Sequence, residues 1–153
     1  MKNFIVRLGL AALLAATFVM QASAQGKYDR WAGDGLLIRG YDTTAYFQKR
    51  QPARGDRANV VEWNGGTWRF ATAREAELFR ANPTAYAPQF GAYCTGGLSQ
   101  GHVVNGNPTI WRMHGNKLYL FYAEAGGRRF DQDPAGTIAA ARAYARKVGI
   151  KEN

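Results

Sequence analysis

Apolar and polar positions alternate through the middle of the chain in two short bursts, each wrapped around a turn. Val60 to Trp63 and Thr67 to Phe70 flank Asn64-Gly65-Gly66. Asn and Gly accept the positive φ that a tight turn needs, so this pattern predicts a β-hairpin. Ile110 to Met113 and Lys117 to Tyr122 flank His114-Gly115-Asn116 and predict a second hairpin. Residues 118–122 read Leu-Tyr-Leu-Phe-Tyr. A run that is apolar on both faces suits a central strand covered on both sides.

Helical spacing appears after and between these bursts. Thr72 with Glu75 three residues on forms a capping-box pattern and predicts a helix presenting Leu78 and Phe79. Asn82-Pro83 ends it, and Pro83 can open a further turn carrying Tyr86. Asp133 and Pro134 open a C-terminal helix whose stripe is Ile138, Ala141, Tyr144, Ala145 and Val148, closed by Gly149. Earlier, Asp42 or Thr43 caps a short turn that buries Tyr46 and Phe47. Residues 25–39 lack periodicity and read as an N-terminal arm. Residues 48–57 are polar and read as an exposed loop.

These elements predict an α+β domain over residues 40–150, with an antiparallel sheet built from the two hairpins and helices packed on it. Shifting the first half by 51 positions sets Trp68 on Tyr119, Phe70 on Phe121, Phe79 on Phe130 and Pro83 on Pro134. Both halves then read strand, turn, strand, helix, the pattern of a duplicated ββα unit.

The first 24 residues follow a different logic. Lys2 and Arg7 precede an apolar run from Leu8 to Met20, and Ala22-Ser23-Ala24 supplies the small-x-small pattern of a cleavage site. This is the layout of a secretory signal peptide, which places the mature chain in the periplasm or outside the cell. The run is shorter than a comfortable membrane span of about 20 apolar residues, so no transmembrane segment is expected after cleavage. No Cys adjoins the cleavage site for lipid attachment, and no Arg pair precedes the apolar run as a twin-arginine signal would require.

The whole chain carries a formal net charge of +9, and loss of Lys2 and Arg7 leaves an excess of about seven positive charges. A basic surface of this kind favours anionic surfaces in the envelope. The charges are scattered rather than striped, and an exported chain is not expected to meet nucleic acid. Cysteine changes the picture more. Exported domains usually pair their cysteines, but Cys94 stands alone and cannot staple the fold.

Cys94 lies in the Gly-rich segment Ala87 to Pro108, between the two halves, with His102 eight residues on. A link of this length inside a compact domain is usually functional when ordered, so the candidate site is placed here, on Tyr93, Cys94 and His102. Two readings of Cys94 stay open. It is a thiol favoured as thiolate by converging backbone N–H groups, or a small buried hydrophobe. Cys94 and His102, with Met113 and His114 as more distant additions, are soft ligands that suit Cu(I). No four-ligand spacing points to a tight zinc site. The chain has no GxSxG elbow and no phosphate-cradling loop. Asp42, Asp131 and Asp133 read as caps or solvated charges, and most of Trp31, Trp63, Trp68, Trp111 and the tyrosines read as core.

GYDTTAYF, VEWNGGTWRFATAREAELFRANPTAYAPQFGAYC and KLYLFY together resemble the YHS-domain family, in its stand-alone exported type. The resemblance covers Gly40 to Tyr122. It implies a small α+β domain, and some relatives occur beside heavy-metal transporters, in metal-dependent oxygenases or as selenoproteins. The metal-associated relatives carry two Cys where this chain has Ala71 and Glu75, so the resemblance does not bring a thiolate metal site with it.

Two functional readings follow. One is a non-catalytic binding module for a small ligand or envelope partner, with its site at the Gly-rich segment 87–108. The other is a thiol-based redox or copper-handling protein centred on Cys94, with catalysis by any other route unsupported. N-terminal sequencing of the processed protein is expected to begin at or within a few residues of Gln25. Recovery of intact Met1 from the envelope fraction would contradict export.

Overall fold

The computed structural model describes residues 35–153; the leader, Trp31 and most of the expected arm lie outside the described residues. A 3₁₀ turn at Ile38–Gly40 leads into α1 (Thr43–Gln48), β1 (Asp56–Trp63), β2 (Gly66–Phe70), α2 (Ala73–Ala81) and α3 (Pro83–Tyr86). A second 3₁₀ turn at Gln89–Ala92 leads into α4 (Thr95–Ser99), β3 (Asn107–His114), β4 (Lys117–Phe121), α5 (Glu124–Gln132) and α6 (Pro134–Lys147).

The class is α+β, as the hydrophobic pattern predicts, but the hairpins do not join into one sheet. They form two separate antiparallel pairs, β1 with β2 and β3 with β4. The second strand of each hairpin is instead met by an isolated bridge from a preceding segment. Leu36 bridges in parallel to Thr67 on β2, and Cys94 bridges in parallel to Leu120 on β4. The two hairpins share one register. Val61 faces Trp68 where Arg112 faces Tyr119, and both ladders slip at the same place, between Asp56 and Val60 and between Asn107 and Trp111.

Two apolar clusters fill the interior, and β4 lies between them. Leu118 and Leu120 enter the first cluster with Leu37, Tyr46, Trp68, Phe70 and Phe79. Tyr119 and Phe121 enter the second with Phe90, Leu98, Phe130, Ile138 and Ala141. Successive side chains of a strand point to opposite faces, so a strand that is apolar throughout can serve two cores at once. Burial of each such side chain contributes roughly 2 kcal/mol. The Tyr46 hydroxyl donates to the Pro108 carbonyl at 2.7 Å and its ring meets Trp111 edge-on, which ties the halves together. Burial, with the nearby Tyr41 and the Asp42 carboxylate, pushes the Tyr46 phenol well above its ordinary range.

Asp42 does more than cap. It is fully buried, and its Oδ1 accepts from the Thr44 N–H at 2.8 Å and the Thr44 hydroxyl at 2.7 Å. Its Oδ2 accepts from the Ala71 N–H at 2.9 Å, just past the end of β2. One carboxylate thus fastens the start of α1 to the end of the first hairpin. Thr72 caps α2, and Glu75 reaches back to the Thr72 hydroxyl at 2.9 Å and to Lys49 at 2.9 Å. Burial disfavours the Glu75 carboxylate, but the hydrogen bonds from Lys49 and Thr72 outweigh it and hold the group below the ordinary carboxylate range.

Three parts of the sequence reading are corrected. Leu36, Leu37 and Ile38, read as the end of an arm, are buried core. The segment Ala87 to Pro108 is not structureless, since it holds a 3₁₀ turn and α4. Residues 124–132, not assigned to an element from the sequence, form α5, whose Gly126 and Gly127 and uncapped start at Ala123 hide it from a propensity argument. Replacing Asp42 with Ala is expected to cost about 2–3 kcal/mol, because it removes a cap and strips the Ala71 N–H of its acceptor. Chemical denaturation measures this. A loss below about 0.5 kcal/mol would show that the carboxylate does not hold the hairpin.

Candidate functional site

Cys94 is the N-cap of α4 and is 4% exposed. Its own N–H donates to the Val104 carbonyl at 2.8 Å. Its Sγ accepts from the Gly97 N–H at 3.2 Å and from the Tyr122 N–H at 3.1 Å. Tyr122 directly follows β4, so the sulfur fastens α4 to the end of the second hairpin. Both bonds point the positive end of an N–H dipole at sulfur and fix its orientation.

A cavity of about 280 Å³ opens beside this sulfur. Gly96 and Gly97 of α4 line it with Cys94, and a Cβ at Gly97 would meet Val104 at 2.8 Å. His102 and Val104 come from the loop after α4. The lining continues through the passage from β4 into α5, where Tyr122, Ala123 and Gly126 leave a mostly apolar wall and Arg129 joins them. Tyr122 is 66% exposed, and Val104 is exposed as well. Large apolar side chains standing in water around a concave, apolar opening are the usual dress of a binding site.

Among the sequence candidates, the structure brings Cys94 and His102 to one cavity. No hydrogen bond joins the His102 imidazole to the sulfur among the described residues; the sulfur's partners are backbone N–H groups. Tyr93 bridges to Asn105 and packs against the second cluster rather than lining the cavity. Met113 packs against the first cluster, and the His114 ring lies edge-on to Phe130 at 6.0 Å, so the wider Cys, His and Met set is not assembled. Among the described residues, no three His, Cys, Asp or Glu side chains gather where they could hold a metal ion. Sequence reasoning missed Arg129 and Gly126, which belong to the glycine-containing, uncapped α5, and read Tyr122 as strand rather than as cavity lining.

A second cavity, of about 240 Å³, lies between Phe90, α6 and the C-terminal residues. Its Arg142 is already engaged, with Nη2 donating to Glu152 at 2.8 Å. No protein-family model, curated protein or solved structure matches the chain.

The cavity makes the sulfur size-selective. Cys94 of the folded protein is expected to react with iodoacetamide but to resist fluorescein maleimide, with both reacting in urea. Equal protection from both reagents would mean a sealed sulfur, and equal reaction with both would mean no cavity around it.

Proposed function

We propose that this protein is an exported, YHS-domain-like component of the cell envelope that acts as a non-catalytic binding module, with its site at the cavity beside the Gly-rich segment 87–108. The observation that carries this reading is the cavity itself. It is concave and mostly apolar, and exposed Tyr122 and Val104 line it. Small-molecule sites combine an apolar lining with a few polar groups that fix orientation, and His102, Gln100 and Arg129 supply those here. The export part of the reading rests on the leader sequence. Among the described residues no helix is long and apolar enough to cross a membrane.

A second reading, thiol chemistry or Cu(I) handling at Cys94, is favoured by one observation: the sulfur takes two backbone N–H bonds at the edge of that cavity. Binding ranks first because the same two bonds have a plain structural purpose, which is to join α4 to the second hairpin.

Native mass spectrometry of the protein released from the periplasm is expected to show a small-molecule adduct that organic extraction removes. The adduct is expected to be absent from a Gly126→Glu variant, whose new side chain enters the cavity. A polypeptide mass alone in both proteins would contradict the binding reading. A persistent copper or oxygen increment on Cys94 would favour the thiol reading instead.

A further inference from the structure

We infer that the cavity beside Cys94 binds a small organic carboxylate carrying a short apolar chain, and that it lies open because the second half of the protein has Gly126 where the first half has the buried Glu75 side chain. This rests on the binding-module reading and names its ligand class.

The correspondence between the halves extends well beyond the hairpins. Ile38, Arg39 and Gly40 have φ of 42°, 54° and 70°, and Phe90, Gly91 and Ala92 have φ of 54°, 63° and 67°. Three successive left-handed residues are rare, and rarer with a buried β-branched Ile among them. Tyr41 then bridges to Arg54, as Tyr93 does to Asn105. The Asp42 N–H donates to Ala53 at 2.9 Å, as the Cys94 N–H does to Val104 at 2.8 Å. Asp42 caps α1 and grips the Ala71 N–H, and Cys94 caps α4 and grips the Tyr122 N–H. The buried hydroxyls of the next residues, Thr43 and Thr95, both lack a hydrogen-bond partner. Cys94 therefore stands where the first half has Asp42.

The halves also differ beside this acceptor. In the first, Glu75 on α2 is buried, bonded to Lys49 and to the Thr72 hydroxyl. The same offsets put Gly126 at the place of Glu75, Ala123 at that of Thr72 and Gly101 at that of Lys49. A carboxylate on an apolar stem, its cation and its hydroxyl partner are all gone; Gly126 and Ala123 line the cavity, while Gly101 faces Tyr144 instead.

What remains defines the occupant. The wall of Val104, Tyr122 and Ala123 suits a hydrocarbon chain. Arg129 and His102 both line the cavity, and among the described residues Arg129 makes no ion pair. The nine-residue α5 has no side-chain cap at Ala123, and its Gly126 N–H turns to the Ala123 carbonyl at 3.0 Å where Thr72 supplies a hydroxyl to α2. A helix start and a free guanidinium both favour an anion. The volume, just under the roughly 300 Å³ at which drug-sized pockets begin, points to a free small acid rather than a polypeptide terminus.

Calorimetric titration with hexanoate and with its uncharged isostere hexanamide tests this. Hexanoate is expected to bind at least about tenfold tighter than hexanamide, and Arg129→Gln is expected to erase that preference. A Cβ at Gly126 meets nothing closer than Phe121 at 3.4 Å, so Gly126→Ala should fold. Gly126→Glu is expected to abolish hexanoate binding, with an unchanged circular dichroism spectrum as the control for folding. Equal binding of acid and amide, unaltered hexanoate binding by Gly126→Glu, or tighter binding of acetyl-trialanine than of hexanoate would each overturn the inference. No hexanoate binding would overturn it too, while a releasable adduct on the native protein would leave the binding reading standing.

Discussion

Each half of this protein depends on one hydrogen-bond acceptor placed at the head of a short helix. A two-stranded hairpin is marginal in water, because it has one ladder of bonds and two open edges. In the first half the Asp42 carboxylate takes the N–H that follows β2, and in the second the Cys94 sulfur takes the N–H that follows β4. The acceptor joins helix to hairpin at the point where the ladder ends, and an isolated bridge from a preceding segment meets the second strand of the hairpin. Asp42 satisfies three donors at 2.7–2.9 Å, and Cys94 holds two at longer distances, as a larger and weaker acceptor must. The stronger grip goes with a closed interior in the first half, and the weaker one with the open cavity in the second.

The packing explains how such small sheets persist. β4 separates two apolar clusters and contributes alternate side chains to each, so it is buried without a third strand. The first cluster is stacked from Trp63, Trp68, Phe70 and Phe79, whose ring centroids lie 4.9–5.8 Å apart. With one cysteine and no disulfide, stability rests on this aromatic packing and on the buried polar joints at Asp42 and Glu75.

Much of the architecture was legible because its signals are local. Asn64-Gly65 and Gly115-Asn116 mark turns that need positive φ, and all four residues have it. Thr72, Asp133 and Pro134 mark helix starts by chemistry that acts within one turn. The unbroken apolar run in β4 foretold a strand covered on both faces. What stayed hidden was non-local. No periodicity could say that the hairpins keep apart, since the segments that bridge to them lie far off in sequence. α5 has two glycines and no cap, and is held by Phe130 in the second cluster rather than by propensity. The likeness of residues 38–42 to 90–94 lies in backbone angles and hydrogen bonds more than in identical residues. Cys94 and His102 were legible as a candidate site because Gly-rich segments leave room for chemistry. The cavity's other wall was not, since it depends on what Gly126 lacks.

The central claim is that the second half keeps an open site where the first half is self-filled. The most direct measurement is an NMR titration with hexanoate that follows backbone amides in both halves at once. The account predicts shifts at Gly97, Tyr122 and Gly126, with their counterparts Ala45, Ala71 and Glu75 unmoved. Shifts centred instead on Arg142 and Glu152, or spread evenly over the basic surface, would contradict it.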